Sequence, residues 1–286
     1  GGPTEIAAVE RPENPSHISH AEYVTRLIAG KPKNGHTTKG RIGIAPGAKT
    51  TVYALRPVAG GIAALASEIT RAMARLIDYH GVDIINLSAG WIPVRDRSFG
   101  PEIRTASEQM RIQLKRAHDK GVLVFASVGN AFPGDTDKRM LFPASDPYCW
   151  SVAAGGLLDV LPKNTDARHI LEDHVAVLPT PDALTFYLPA LNCGDDKADL
   201  VAPGVGLIAD DCWGTPTHDL SGTSFACAVA TGTAAIALQK ARIGNHMWTQ
   251  AVPHASKQNP TQVVRDCIER SHDERGSGYN LFRLPR

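Results

Sequence analysis

The stretch Asp219 to Leu238, DLSGTSFACAVATGTAAIAL, constrains this chain more than any other: it joins a small-residue turn carrying one serine to a helix built almost entirely of small residues. Ala226, Ala228, Ala230, Gly232 and Ala234 let such a helix lie tightly against its neighbours. Gly222 lets the backbone pass close to a bound chain. Ser224 falls where the helix begins, and the N–H groups there favour developing negative charge. A buried Ala-rich helix with a Ser/Thr cap would use the same residues. On its own the segment leaves both open, a mounted nucleophile and a packed helix.

The surrounding pattern is that of a large α/β domain. Apolar runs at Glu5 to Val9, Thr51 to Leu55, Asp83 to Leu87, Val122 to Ala126, Ser151 to Ala154 and Asp199 to Ala202 predict short buried strands. Between several of them, Ala21 to Ala29, Ala64 to Tyr79 and Glu102 to Lys120 carry apolar residues at helical spacing, with Gly81 and Gly121 as stop signals after the last two. Strand and helix alternating in this way predict a mostly parallel central sheet with helices on both faces. Catalytic groups in such sheets gather at the carboxyl ends of the strands. With 286 residues, 43% of them hydrophobic, the chain is long enough for one domain over residues 1–286. Gly155 to Asp196, rich in Pro, Asp and Asn, reads as an excursion holding a hairpin around Val175 to Leu188. Thr261 to Arg270 predicts an amphipathic helix and Gly278 to Leu284 a last strand.

Charge and cysteine usage narrow the partners. A formal charge of +1 offers no electrostatic case for nucleic acid or an anionic membrane, and local basic runs such as Lys31 to Lys39 read as solvated loops. No apolar run reaches the roughly 20 residues that span a bilayer, and no charged-then-apolar leader opens the sequence. The five cysteines form no CxxC pair and show no zinc spacing, so no metal site is expected. Cys193 and Cys212 are a candidate disulfide, although buried free thiols are the commoner state in an intracellular α/β protein.

The serine segment resembles the nucleophile motif of the subtilisin-like serine proteases, with Gly222, Thr223, Ser224, Phe225, Ala226 and Cys227 matching and Ala228 standing where the family has proline. A proline in the first turns of a helix lacks only an N–H that has no helical partner, so alanine is compatible there. The resemblance implies a three-layer subtilisin-like sandwich and acyl transfer by Ser224. That chemistry needs a base within reach of the hydroxyl, an acid orienting the base, and donors aimed at the oxyanion.

Each has a candidate in the family's chain order. The segment from His20 to Gly30 resembles the family's histidine segment when aligned on Ile28, Ala29 and Gly30, which makes His20 the base; His17 is the rival, because His17 and His20 repeat the spacing of the family's two histidines. Gly43-Ile-Ala-Pro-Gly-Ala48 downstream also resembles the family. Gly121 to Asn130 is similar to the buried strand that ends in Gly-Asn, implying that the Asn130 amide joins the Ser224 N–H in the oxyanion hole. Asn86 to Gly90 resembles the strand that pairs with an extended peptide, which gives Ser88, Ala89 and Gly90 to substrate binding, with Gly60 on the opposite strand. Phe142-Pro143-Ala144 resembles the segment under the primary specificity pocket, which makes Leu141 a candidate for the pocket's base and Ala131 for its rim. No acid stands at either place, so an uncharged or small side chain is expected before the scissile bond.

The acid departs from the family's pattern. No aspartate precedes His20, and Glu10, ten residues before it, is the carboxylate at the corresponding place. A glutamate accepts the imidazole N–H as an aspartate does, as in some α/β-hydrolases. Glu13, or a carboxylate from a partner protein, is the alternative. The short interval before His20 also removes positions from which the family commonly draws calcium, so no cofactor is expected and bound calcium is doubtful. The resemblance thus implies a serine endopeptidase acting on a protein or peptide bound in extended form. A peptide ligase or macrocyclase using the same serine, and a protease-like binding module without turnover, are the alternatives.

Overall fold

A computed structural model describes residues 20–31, 42–53, 61–92, 101–131, 135, 138–157, 174–179, 185–189, 192–193, 198–210, 216–242, 261–262 and 264–266. In chain order the elements are α1 (His20–Ala29), α2 (Gly61–Arg75), β1 (Ile84–Leu87), α3 (Pro101–Asp119), β2 (Leu123–Ser127), β3 (Trp150–Leu157), β4 (His174–Pro179), β5 (Thr185–Pro189), β6 (Leu200–Pro203), β7 (Leu207–Asp210), β8 (Pro216–Leu220) and α4 (Thr223–Arg242).

The helices end where the glycines dictate. The last turn of α2 widens into a π-turn over Leu76–His80, closed by Gly81 in the left-handed region at φ 55 with its N–H on the Leu76 carbonyl. Gly121, at φ 75, does the same for α3: its N–H reaches the His118 carbonyl at 2.9 Å, and the Val122 N–H reaches that of Ala117 at 2.8 Å. Along α3, Ile103, Ala106, Met110, Leu114 and Ala117 are buried at three-and-four spacing, so one stripe of that helix faces the sheet.

Among the described residues, four strands form a parallel sheet in the order β1, β2, β3, β6. On β2, successive side chains enter different cores. Val124 and Ala126 join α2 and α3 on one face, around Met73, Met110, Leu114 and Phe142. Leu123 and Phe125 join α4 on the other, around Ala226, Ala230 and Ala234. All five residues of β2 are buried, as a central parallel strand covered on both sides requires. Each large side chain so buried contributes about 1.5 to 3 kcal/mol. The result is the three-layer α/β arrangement expected from the alternation of elements.

A third cluster seats the first helix. Val24 of α1 packs with Ala209, Leu220, Phe225 and Ala228, joined by Tyr23, Leu27 and Ile28. The C-terminal carbonyls of α1 are satisfied from outside: the Gly43, Ile44 and Ala45 N–H groups donate to the Gly30, Leu27 and Ile28 carbonyls at 2.8, 3.0 and 2.7 Å. The stretch from Gly43 to Ala48, which sequence reading matched only as a motif, therefore docks the end of α1.

Several expectations change. Thr51–Tyr53 form no strand among the described residues; an apolar run becomes a strand only where a ladder partner meets it. The strand expected at Ser151 to Ala154 runs on to Leu157, inside the predicted excursion, because β5 pairs antiparallel with Gly156 and Leu157. The hairpin around Val175 to Leu188 is present as β4 and β5. The β7–β8 hairpin is unforeseen: its ladder shifts register between Leu207 and Ala209, and Pro216 stands at its second strand's start. Thr261, Gln262 and residues 264–266 are helical, as predicted. The runs at Glu5 to Val9 and Gly278 to Leu284 lie outside the described residues. No helix among the described residues is long and apolar enough to cross a membrane.

Candidate active site

The carboxyl ends of β1 and β2 and the start of α4 meet at one edge of the sheet. Gly222 precedes α4 at φ 152, and its carbonyl accepts the Phe225 and Ala226 N–H groups at 3.1 and 3.2 Å. A β-carbon at Gly222 would stand 3.2 Å from Asn130 Nδ2, so this glycine meets two demands, an unusual φ and close approach to an amide.

That amide is held from one side. Asn130 Oδ1 accepts the Thr223 N–H at 2.9 Å and the Thr223 hydroxyl at 3.0 Å, while Thr223 Oγ1 accepts the Gly129 N–H at 3.2 Å. The oxygen of Asn130 is thereby committed to the helix start, which leaves Nδ2 as the amide's donor group beside Gly222, on a residue that is exposed. Among the described residues the Ser224 N–H has no acceptor, as befits a first-turn donor. Asn130 Nδ2 and the Ser224 N–H are thus two donors flanking one helix terminus.

Ser224 is half-buried, and its hydroxyl donates to the Ser88 carbonyl at 3.4 Å. Ser88 returns the contact: its Oγ donates to the Ser224 carbonyl at 2.8 Å. Behind this pair runs a directed chain. The Thr231 hydroxyl donates to Asn86 Oδ1 at 3.0 Å, and Asn86 Nδ2 donates to Ser88 Oγ at 3.0 Å. Sequence reading missed Thr223, Asn86 and Thr231 as site-building residues. The available signal was polarity out of place, a threonine inside an alanine-rich helix and an asparagine within Ile84–Leu87. Cys227 packs beneath them, fully buried, its thiol pushed up to about 12 by burial and therefore neutral.

His20 opens α1, and its ring centroid lies 5.5 Å from that of Phe225, the residue after Ser224. By surface area His20 is exposed, yet the protein around its ring holds the imidazole below its ordinary pKa by desolvation. Among the described residues, Ser224 and His20 are not hydrogen-bonded to each other. Such bonds are often long in a free site and tighten when substrate binds.

The structure therefore brings together Ser224, His20, Asn130 and Ser88. Ala89 and Gly90 follow Ser88 on the same edge, Leu141 is half-buried there, and Ala131 is buried. Glu10, Glu13, His17 and Gly60 lie outside the described residues, as does Cys212. No cluster of three or more potential metal ligands exists among the described residues.

Comparison with known proteins decides the family: the profile of the subtilase family matches residues 6–281. The chain belongs to the subtilase family. Subtilases are serine proteases as a family, and the fold agrees. A comparison with curated proteins finds no significant match. Among solved structures, this subtilase is similar to the patellamide maturation protease PatA, at 20% identity and TM-score 0.54, covering 91% of this chain and 77% of that one. It is similar to the prenylagaramide maturation protease PagA, at 21% identity and TM-score 0.53, covering 87% and 70%. The PatG macrocyclase in complex with peptide also matches, at 20% identity and TM-score 0.52, covering 78% and 54%. These likenesses carry the fold.

Proposed function

We propose that this subtilase is a serine endopeptidase. Ser224 Oγ attacks a peptide carbonyl, His20 takes the hydroxyl proton and returns it to the leaving amine, and Asn130 Nδ2 with the Ser224 N–H holds the oxyanion. Water then releases the acyl group. Glu10 orients the imidazole. The substrate is a protein or peptide lying extended along Ser88 to Gly90, with Gly60 on the opposite side. No cofactor is needed for these steps. The observation that carries the reading is the serine at a helix start beside an amide whose oxygen is already committed to Thr223.

Hydrolysis is favoured over ligation by an amine because Ser224 is only half-buried and His20 is exposed, so water has access to an acyl group on the serine. PatG is named a macrocyclase and PatA a maturation protease, and this chain resembles both in fold to a similar degree.

The test is reaction of the pure protein with a fluorophosphonate, read by intact mass and peptide mapping. Labelling is expected at Ser224, lost in Ser224→Ala, and reduced in Glu10→Ala; loss of an orienting acid costs about 10⁴ in turnover. A folded protein that does not label is instead a protease-like binding module.

A pH dependence follows from the environment of His20. The base must be neutral to accept the serine proton, and desolvation favours the neutral ring, so its pKa lies below the ordinary 6.5. Activity is expected to fall as pH drops through that lowered value and to persist above it. A Glu10 carboxylate on the ring favours the charged form and opposes this lowering, so the acid limb is expected to move down in Glu10→Ala; a kcat/KM profile without an acid limb would contradict the assignment.

A further inference from the structure

Strand β2 must part from its neighbour β3 for Asn130 to reach the start of α4. The two stay bonded as far as Val128, whose N–H donates to the Val152 carbonyl at 3.1 Å. Gly129 then takes φ 103 and the chain turns off the sheet. Ala154, fully buried, lies two residues beyond Val152 and so on the same edge of β3. The departure of β2 would strand its N–H and carbonyl on that edge, and a buried peptide group left unpaired costs most of its desolvation. Asn192 meets both groups: its Oδ1 accepts the Ala154 N–H at 2.8 Å, and its Nδ2 donates to the Ala154 carbonyl at 2.8 Å. A side-chain amide carries the same donor and acceptor as a peptide, so Asn192 continues the ladder where β2 leaves it.

The same residue also holds the chain that has left. Asn192 stands opposite Asn130 in an isolated antiparallel bridge, and the Cys193 N–H donates to the Gly129 carbonyl at 3.1 Å. From the other side, Thr223 Oγ1 accepts the Gly129 N–H and donates to Asn130 Oδ1. The backbone of Asn130 is thus set by residues 192–193 and its side chain by Thr223. The consequence rests on the acyl-transfer reading, in which Asn130 Nδ2 holds the oxyanion. We infer that Asn192 is a positioning residue: its amide, clamped on β3, fixes the backbone from which Asn130 aims its own amide beside Ser224. Asn192 acts through Asn130 alone. Because the oxygen that Asn130 meets is negative only in the transition state, misplacing the donor slows the reaction and leaves ground-state binding as it was.

The experiment follows fluorophosphonate labelling of Ser224 in the wild type, Asn130→Ala, Asn192→Ala, Asn192→Asp and the double variant Asn130→Ala with Asn192→Ala. It reads the rate at saturating probe, the half-saturating concentration, and circular dichroism for the fold. The phosphonyl oxygen takes the oxyanion's place in this reaction, so Asn130→Ala is expected to label about 10²- to 10³-fold more slowly. Asn192→Ala is expected to lose about 10²-fold, as a displacement of about 1 Å does, with half-saturation unmoved. Asn192→Asp fills the same space but, ionised, cannot donate to the Ala154 carbonyl, and is expected to behave like Asn192→Ala. The double variant is expected to label no more slowly than Asn130→Ala, because an amide already removed cannot be misplaced. Losses that multiply in the double variant overturn the inference, since a general loosening of the fold does not depend on Asn130. So does a loss carried by half-saturation, a folded Asn192 variant that labels at the wild-type rate, or failure of both single Asn192 variants to fold. A folded wild type that does not label at Ser224 overturns instead the acyl-transfer reading, and an Asn130→Ala that labels at full rate overturns its oxyanion assignment; the inference falls with either.

Discussion

Replacing His20 with alanine is expected to lower kcat by about 10⁶-fold, with Ser224→Ala costing as much and the double variant little more. The magnitude is that found for the corresponding pair in subtilisin, a member of this family, where base and nucleophile act as one unit. Non-additivity is the diagnostic part. Two residues that stabilise the fold independently would add their losses, whereas a base without its nucleophile has nothing left to do. His17→Ala is the companion measurement, because the sequence spacing allows either histidine to be the base. Loss of turnover in His17→Ala with activity retained in His20→Ala would reverse the assignment. His20 starts a helix packed on α4 and sets its ring against Phe225, whereas His17 lies outside the described residues, so the pair of variants decides between them.

Gly43→Ala is expected to destabilise the protein by about 3 kcal/mol, as overpacking a closed interior contact does, and to remove activity as well. A β-carbon there would stand 2.6 Å from the Arg26 carbonyl oxygen and 2.7 Å from the Ala29 nitrogen, both backbone atoms that cannot rotate away. Relief requires the end of α1 to lift, breaking the bonds from residues 43–45 to the carbonyls of Leu27, Ile28 and Gly30. Since α1 begins at His20, the displacement reaches the site. Gly47→Ala is the control within the same motif, because its β-carbon meets nothing within 4 Å. At roughly 2 °C of Tm per kcal/mol for a chain of this size, Gly43→Ala lowers Tm by roughly 6 °C and Gly47→Ala leaves it in place. Equal behaviour of the two variants in a thermal melt would sink the docking account.

Much of this architecture is legible in the sequence because its strands are short, apolar and bounded by glycine. Val122 to Ala126 has no polar alternation, which is what a strand buried on both faces looks like. Gly81 and Gly121 mark helix ends because the left-handed conformation each adopts is strained for other residues. The β7–β8 hairpin was illegible for the opposite reason: an irregular ladder with Pro216, His218 and Asp219 in one strand gives no periodic signal. Within the candidate site, the motifs that carry Ser224, His20 and Asn130 are readable in the sequence, and the fold brings those residues to one edge. The supporting polar chain from Thr231 through Asn86 to Ser88 is not readable there, because its members are distant in sequence and only the packing of α4 against β1 brings them within reach. The tie between Asn130 and Thr223 was hidden in the same way.

The Ser88 and Ser224 contacts span 136 residues of sequence, and the Asn130 to Thr223 bond spans 93. Such closures come late in folding, after loop entropy has been overcome and the sheet has formed. During synthesis the amino-terminal elements emerge first, so the serine arrives after the groups that will surround it. Until α4 docks, Ser224 is an ordinary alcohol on an alanine-rich segment, without an aligned donor pair or a neighbouring imidazole. On the proposed reading of Ser224, long-range topology works as a safety catch: a half-made chain carries the serine but not the weapon, and reactivity at Ser224 would mark the molecule whose assembly is complete.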